Sequence, residues 1–224
     1  MNKFKFTENE IQKINKAAAE VEAVSSGEVL TAVIKESSNY AFAELLFSVF
    51  GGFIYYLIAM VFYNNLYIFV NSLFWTPQPW HTTAFLGAST IVVIGIFYVI
   101  SNIPGFDRLI VPKSVMAKYV HRRALVHFME SGAANTRDRT GILFFISLRE
   151  RRVEIIADEG INSKVKPEDW KEILADLLSS IKGNQTAEGI EKAVKDCGLI
   201  LEKHFPVKDD DTNELPDGIV FLED

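Results

Sequence analysis

Four carboxylates and two guanidinium groups are where this sequence could do chemistry: Glu28, Asp138, Asp158 and Glu159, with Arg137 and Arg139. They stand at the ends of three short apolar runs, Glu28 to Lys35, Gly141 to Leu148 and Arg152 to Ala157. Arg149-Glu150-Arg151 turns the second run into the third, which reads as a β-hairpin and therefore as an antiparallel pair. That pairing sets Asp138, Arg139 and Thr140 beside Asp158, Glu159 and Gly160. If the first run lies parallel to the second, its start (Ser26, Gly27, Glu28) joins the same edge. Carboxylates of this kind are hard oxygen ligands for Ca²⁺ or Mg²⁺. Arg137 and Arg139 could grip a phosphate or another anion bidentately, and the combination suits metal-assisted phosphoryl transfer. The plainer reading is a solvated rim on which loop carboxylates pair with loop arginines. The sequence contains no EF-hand loop, no phosphate-cradling glycine loop and no zinc-ligand spacing.

The remaining reactive side chains carry less. His121 and His127 are six residues apart, about 120° around a helix of ~3.6 residues per turn. They do not share a metal-binding face and read as solvated or capping residues. Cys197 is the single cysteine. It excludes an intramolecular disulfide and reads as a packed core thiol.

The elements that must position the carboxylates alternate between helix and strand. Thr7-Glu8-Asn9-Glu10 is a capping box, with Phe6 placed to staple onto Ile11. Ile11, Ile14, Ala18 and Val21 form one apolar face behind it. A helix is expected from Pro112 to Glu130. Another opens at Pro167 with Trp170, Ile173, Leu174, Leu177, Leu178 and Ile181 on its buried side, and a last one runs from about Ala187 to His204. The pattern predicts an α/β fold, an α-β-α sandwich with a small mixed sheet.

Between the first strand and the Pro112 helix lies a different kind of sequence. Leu45 to Phe106 contains no Asp, Glu, Lys or Arg. A bilayer span needs ~20 apolar residues, so the stretch holds two spans, about 45–63 and 84–103, with Pro77, Pro79 and His81 breaking the connection. Neither span contains an ionisable acid or base, which points to an anchor rather than a transport pathway. Gly51-Gly52 and Gly87-Ala88-Ser89 allow close helix packing. Arg108, Lys113, Lys118, Arg122 and Arg123 follow the second span, whereas the connection has no Lys or Arg. The positive-inside rule places both flanks, and both termini, in the cytoplasm. The first strand leads into the membrane segment, so the rim at its start is expected to face the cytosol. No signal-peptide h-region is evident near the start.

The expected organisation is a soluble domain split by an inserted transmembrane hairpin. Residues 1–40 form its first part, 41–111 the hairpin, 112–205 the remainder, and 206–224 an acidic mobile tail. Net charge is −6, and no basic face suggests nucleic acid as a partner. The expected partners are the lipid bilayer and an unidentified membrane protein.

Two segments, NTRDRTGILFFISLRERRVEIIADEGI from Asn135 and SSGEVLTAVI from Ser25, resemble the TPM-domain family, in its bacterial two-span membrane branch. The resemblance covers about Thr7 to Lys35 and Lys118 to His204. It implies an α-β-α sandwich, and with it divalent-metal binding, phosphatase activity, or service as an accessory factor of membrane complexes. The glycine-rich turn that relatives carry after the third strand is here Ala157-Asp158-Glu159-Gly160-Ile161-Asn162. The expected function is a bacterial-type inner-membrane interaction or assembly module, with Ca²⁺ or Mg²⁺ as an expected ligand at Glu28, Asp138, Asp158 and Glu159. The alternative is a divalent-metal-dependent phosphatase.

Overall fold

The computed structural model describes residues 6–103, 105–208, 213–215 and 218–223. In chain order the elements are α1 (Glu8–Glu22), β1 (Glu28–Ile34), α2 (Ala41–Val61), α3 (Tyr63–Ser72), α4 (Pro79–Ser101), α5 (Asp107–Ile110), α6 (Lys113–Glu130), β2 (Gly141–Ser147), β3 (Arg152–Ala157), α7 (Glu159–Asn162), α8 (Asp169–Lys182), α9 (Thr186–His204) and β4 (Gly218–Leu222). They divide into two compact units, Met1–Ser38 with Ser114–Asp224, and Asn39–Lys113.

The first unit is an α/β sandwich on a mixed sheet of order β3-β2-β1-β4. β1 runs parallel to β2 with Glu28 opposite Gly141, and β2 runs antiparallel to β3 with Ile142 opposite Ala157. Every residue of β1 and β2 is buried, because both faces are covered. Val29, Val33, Ile142, Phe144 and Ile146 point to one side, where α1, α8 and α9 supply Ile14, Val21, Trp170, Leu177, Val194 and Leu201. Leu30, Ala32, Ile34, Leu143 and Phe145 point to the other, onto Val120, Ala124 and Phe128 of α6. The period-two alternation of strand side chains sorts these sets. At the N-terminus of α1 the capping box forms: Thr7 N donates to Glu10 Oε2 at 2.7 Å and Glu10 N to Thr7 Oγ1 at 3.3 Å.

The C-terminal segment corrects the expectation of a mobile tail over 206–224. Part of it, 209–212, 216–217 and 224, lies outside the described residues, but Gly218–Leu222 forms β4, parallel to β1 with Leu30 opposite Gly218. Contacts besides the strand pairing hold the segment. Ile219 N donates to Asn15 Oδ1 at 3.0 Å, the Phe221 ring lies 5.3 Å from that of Phe6, and Leu215 is buried on the α6 side. Gly218 has φ +119°, and a β-carbon there would meet Asn15 Oδ1 at 2.7 Å, so the position needs glycine. The run GIVFL has the apolar content of a short strand; the acidic residues before it do not prevent pairing.

In the second unit α2 and α4, of 21 and 23 residues, are long and apolar enough to cross a membrane. At ~1.5 Å per residue each exceeds the ~30 Å hydrocarbon thickness. Their apolar side chains face outward: Phe50 is 62 % and Ile91 71 % exposed. The helices pack where α2 has no side chain. A β-carbon on Gly51 would meet the Phe97 ring at 2.7 Å, and one on Gly52 would meet Ile94 at 2.3 Å. Tyr55 Oη donates to Ser89 Oγ at 3.0 Å, whereas Gly87 faces open space. Pro79, expected to break the connection ahead of a span starting near residue 84, instead opens α4, since the first helical position has no use for its missing N–H. The connection also contains the separate helix α3.

Phe221→Ala is expected to cost about 1–2 kcal/mol, for a half-buried aromatic, read as a lowered urea midpoint with unchanged slope. Gly52→Val is expected to destabilise the α2–α4 pair by about 1–3 kcal/mol through overpacking, read as a lower melting temperature in detergent.

Candidate functional site: the charged rim of the sheet

The ends of the strands converge as the pairing rules require. Glu28 N donates to Thr140 O at 3.2 Å, Thr140 Oγ1 to Ser26 O at 2.8 Å, and Asp158 N to Gly141 O at 2.9 Å. Arg139 sits in the left-handed region at φ 58°, a conformation costing roughly 1–2 kcal/mol for an L-residue. It is held by Arg139 N donating to Thr136 O at 3.1 Å and Gly160 N donating to Arg139 O at 3.0 Å. The same geometry brings Arg139 Nη2 to 2.9 Å from Asp158 Oδ1.

The four predicted carboxylates then part company. Asp158 is buried, 5 % exposed. It caps the one-turn helix α7, its Oδ1 accepting from Glu159 N at 2.7 Å. Its Oδ2 is buried with no hydrogen-bond partner among the described residues. Glu28 is also buried, and its Oε1 accepts from Glu214 N at 3.0 Å. Asp138 is part-exposed and takes Lys208 Nζ at 2.6 Å, with Arg137 Nη2 at 3.9 Å. Glu159 is exposed on α7. Among the described residues no three His, Cys, Asp or Glu side chains gather as ligands of one ion would. Two of the candidate oxygens already face a cation, so the arrangement does not fit a divalent metal as it stands.

Two residues the sequence did not single out complete the rim. Lys208 pairs with Asp138, and Glu214 links the start of β1 to the loop before β2: its carboxylate accepts from Arg137 N at 2.9 and 3.2 Å while its own N–H reaches Glu28. Both follow the last helix in the chain. The hint available in the sequence was the apolar run after Glu214, which had to dock somewhere and would draw its flank along.

The other candidate groups are structural. Cys197 is fully buried on α9, and burial pushes its thiol well above the usual range, which suits packing and not nucleophilic attack. His121 Nδ1 lies 3.3 Å from Glu154 Oε2. His127 differs from the expectation of a solvated residue: it is 9 % exposed, and burial, with Arg123 nearby, holds its pKa down.

The hydrogen bond from Lys208, helped by Arg137, holds the Asp138 carboxyl below its ordinary value of 3.8. The pair therefore stabilises the fold fully above that value and ceases to do so as pH falls through the lower, folded-state value. Asp138→Asn is expected to lower stability at neutral pH and to converge with the parent as acid titrates the group, measured as urea midpoints across an acid series.

Residues 109–199 match the family profile of the TPM domain. Among solved structures, the NMR structure of BA42 protein from the psychrophilic bacterium Bizionia argentinensis sp. nov. is similar at a TM-score of 0.58 and 18 % identity, covering 99 % of this chain and 99 % of that one. At that identity the likeness speaks for the fold. No curated protein matches the chain. The family match thus spans residues 109–199, and a solved structure shares the fold of the chain.

Proposed function

We propose that the chain is a membrane-anchored interaction or assembly module, in which α2 and α4 tether the TPM domain to a bacterial inner membrane and the domain engages a membrane protein. The observation that carries this reading is the compensation of charge at the rim. Asp138 faces Lys208 and Asp158 faces Arg139, an arrangement that braces loops and leaves no assembled set of catalytic groups among the described residues. The uncharged connection between the two apolar helices, against Arg108, Lys113 and Lys118 after them, supports cytoplasmic placement of both flanks.

A metal-dependent phosphatase is the second reading. It is favoured by one feature, Asp158 Oδ2, which has no hydrogen-bond partner among the described residues and lies beside the exposed Glu159. Ca²⁺ or Mg²⁺ there would need Asp138 to leave Lys208, or ligands beyond the four predicted.

Labelling with a membrane-impermeant maleimide tests the anchor. Gln78→Cys is expected to react from outside intact cells and Ser163→Cys only after permeabilisation; the reverse pattern, or recovery in the soluble fraction, refutes it. Melting of the detergent-solubilised protein with Ca²⁺, Mg²⁺ or EDTA separates the two functions. No shift, together with a co-purifying membrane protein that survives Asp158→Ala, is expected for the module. A metal-dependent rise in melting temperature with phosphomonoester hydrolysis, both lost in Asp158→Ala, would instal the phosphatase.

A further inference from the structure

The far edge of the sheet is open. β3 ends the strand order, and its register with β2 fixes which of its backbone groups face outward. Asp158 N donates to Gly141 O, so positions 158, 156, 154 and 152 turn their amides toward β2, and Val153, Ile155 and Ala157 turn theirs away. An independent contact agrees: Ala157 O accepts Asn162 Nδ2 at 2.6 Å from the outer side. Among the described residues no strand pairs with this side of β3. Apart from the Ala157 carbonyl, the outward N–H and C=O groups of the three residues form an unextended ladder.

Beside this ladder lies a cavity of about 290 Å³, lined by Ile155, Ile156, Ala157, Asn162, Pro167 and Trp170. The side chains of Val153, Ile155 and Ala157 point to the α8 side of the sheet. A residue hydrogen-bonded opposite Ala157 would project its side chain to that same side. Ala157 is small, and the cavity beside it has room for a bulky apolar group. Backbone polarity and apolar cavity thus select the same ligand shape.

We infer that the β3 edge is a docking site for an extended segment of another protein, which adds as a fifth strand and places a bulky apolar side chain in the cavity at Ala157, Pro167 and Trp170. The inference deepens the interaction reading and rests on it. Main-chain pairing supplies affinity and the cavity supplies selectivity, as in strand addition generally. The Asn162 amide ends the pairing at the Ala157 carbonyl and so sets the register of the incoming chain. A second copy of this chain is a poorer occupant. Antiparallel pairing of β3 with itself about Ile155 sets the Glu154 carboxylate against Ile156 of the copy and offers only Val153 to the cavity.

The test selects displayed random dodecapeptides on the full-length protein in detergent, then follows amide exchange with a selected peptide bound. Selected peptides are expected to share one bulky apolar position within an extended pattern. Bound peptide is expected to slow exchange of the Val153, Ile155 and Ala157 amides, leaving the Arg152, Glu154 and Ile156 amides as slow as before. Ile155→Pro removes an outward N–H that β2 does not use and should weaken binding about tenfold, as for one lost hydrogen bond. Ala157→Glu, which puts a carboxylate at the cavity mouth, should abolish it, and guards against misfolding of the proline variant. Failure to select a binder, protection elsewhere, or self-association through β3 overturns the inference. A native membrane partner that co-purifies undiminished with Ala157→Glu also overturns it while leaving the interaction reading intact.

Discussion

The burial of β1 between β2 and β4 is the constraint on which the rest of the α/β unit depends. A central strand covered on both faces must satisfy every backbone group through its neighbours, so its register allows no slip. Glu28 opposite Gly141 and Leu30 opposite Gly218 together decide which loops meet at the rim. Shifting β1 by one residue would send Val29 and Val33 to the α6 side and Leu30 and Ile34 to the other. The rim would lose Glu28 as the acceptor of the Glu214 amide in the same step.

That geometry explains why the rim is rich in charge without forming a cluster. Asp158 and Glu28 are both buried, and a buried carboxylate is tolerated when hydrogen bonds or a cation compensate it. Arg139 serves Asp158 from an adjacent loop, and Glu214 N–H serves Glu28 from the C-terminal segment. The unusual backbone of Arg139 is the local cost of aiming its guanidinium along the sheet edge. Its compensation lies in the two main-chain hydrogen bonds that fix the turn. The electrostatic arrangement is thus an outcome of closing the sheet.

Where the signal was local, the sequence could be read closely. Thr7 and Glu10 announced a helix start, the run Arg152–Ala157 matched its strand, and the parallel placement of β1 brought Ser26 to Glu28 beside Thr140 as the topology required. Misreadings arose where a local signal had two outcomes. Pro79 could interrupt the connection or open the next helix, and α4 begins at it. GIVFL followed an acidic stretch and looked too short to matter, yet a sheet with β1 otherwise at its edge had a place for it. His127 shared a polar helix with Arg122 and Arg123 but falls on the face that packs inward. The pairings of Lys208 and Glu214 join residues 70 and 77 positions from their partners, a distance over which no spacing rule operates.

The central position of β1 also bears on how the chain reaches its fold. Its neighbours lie far downstream: Gly141 follows Glu28 by 113 positions and Gly218 follows Leu30 by 188. Closing such loops is entropically slow, and a ribosome releases β1 long before either neighbour exists. During that interval the segment EVLTAVI, uncharged after its first residue and β-branched at Val29, Thr31, Val33 and Ile34, is an unpaired strand of the kind that aggregates. The two apolar helices emerge next and precede β2. Under the anchor proposed above, passage of these helices into lipid would take the most hydrophobic stretch of the nascent chain out of competition for that strand, and insertion would then act as an early chaperoning step for a sheet that closes only when β4 arrives.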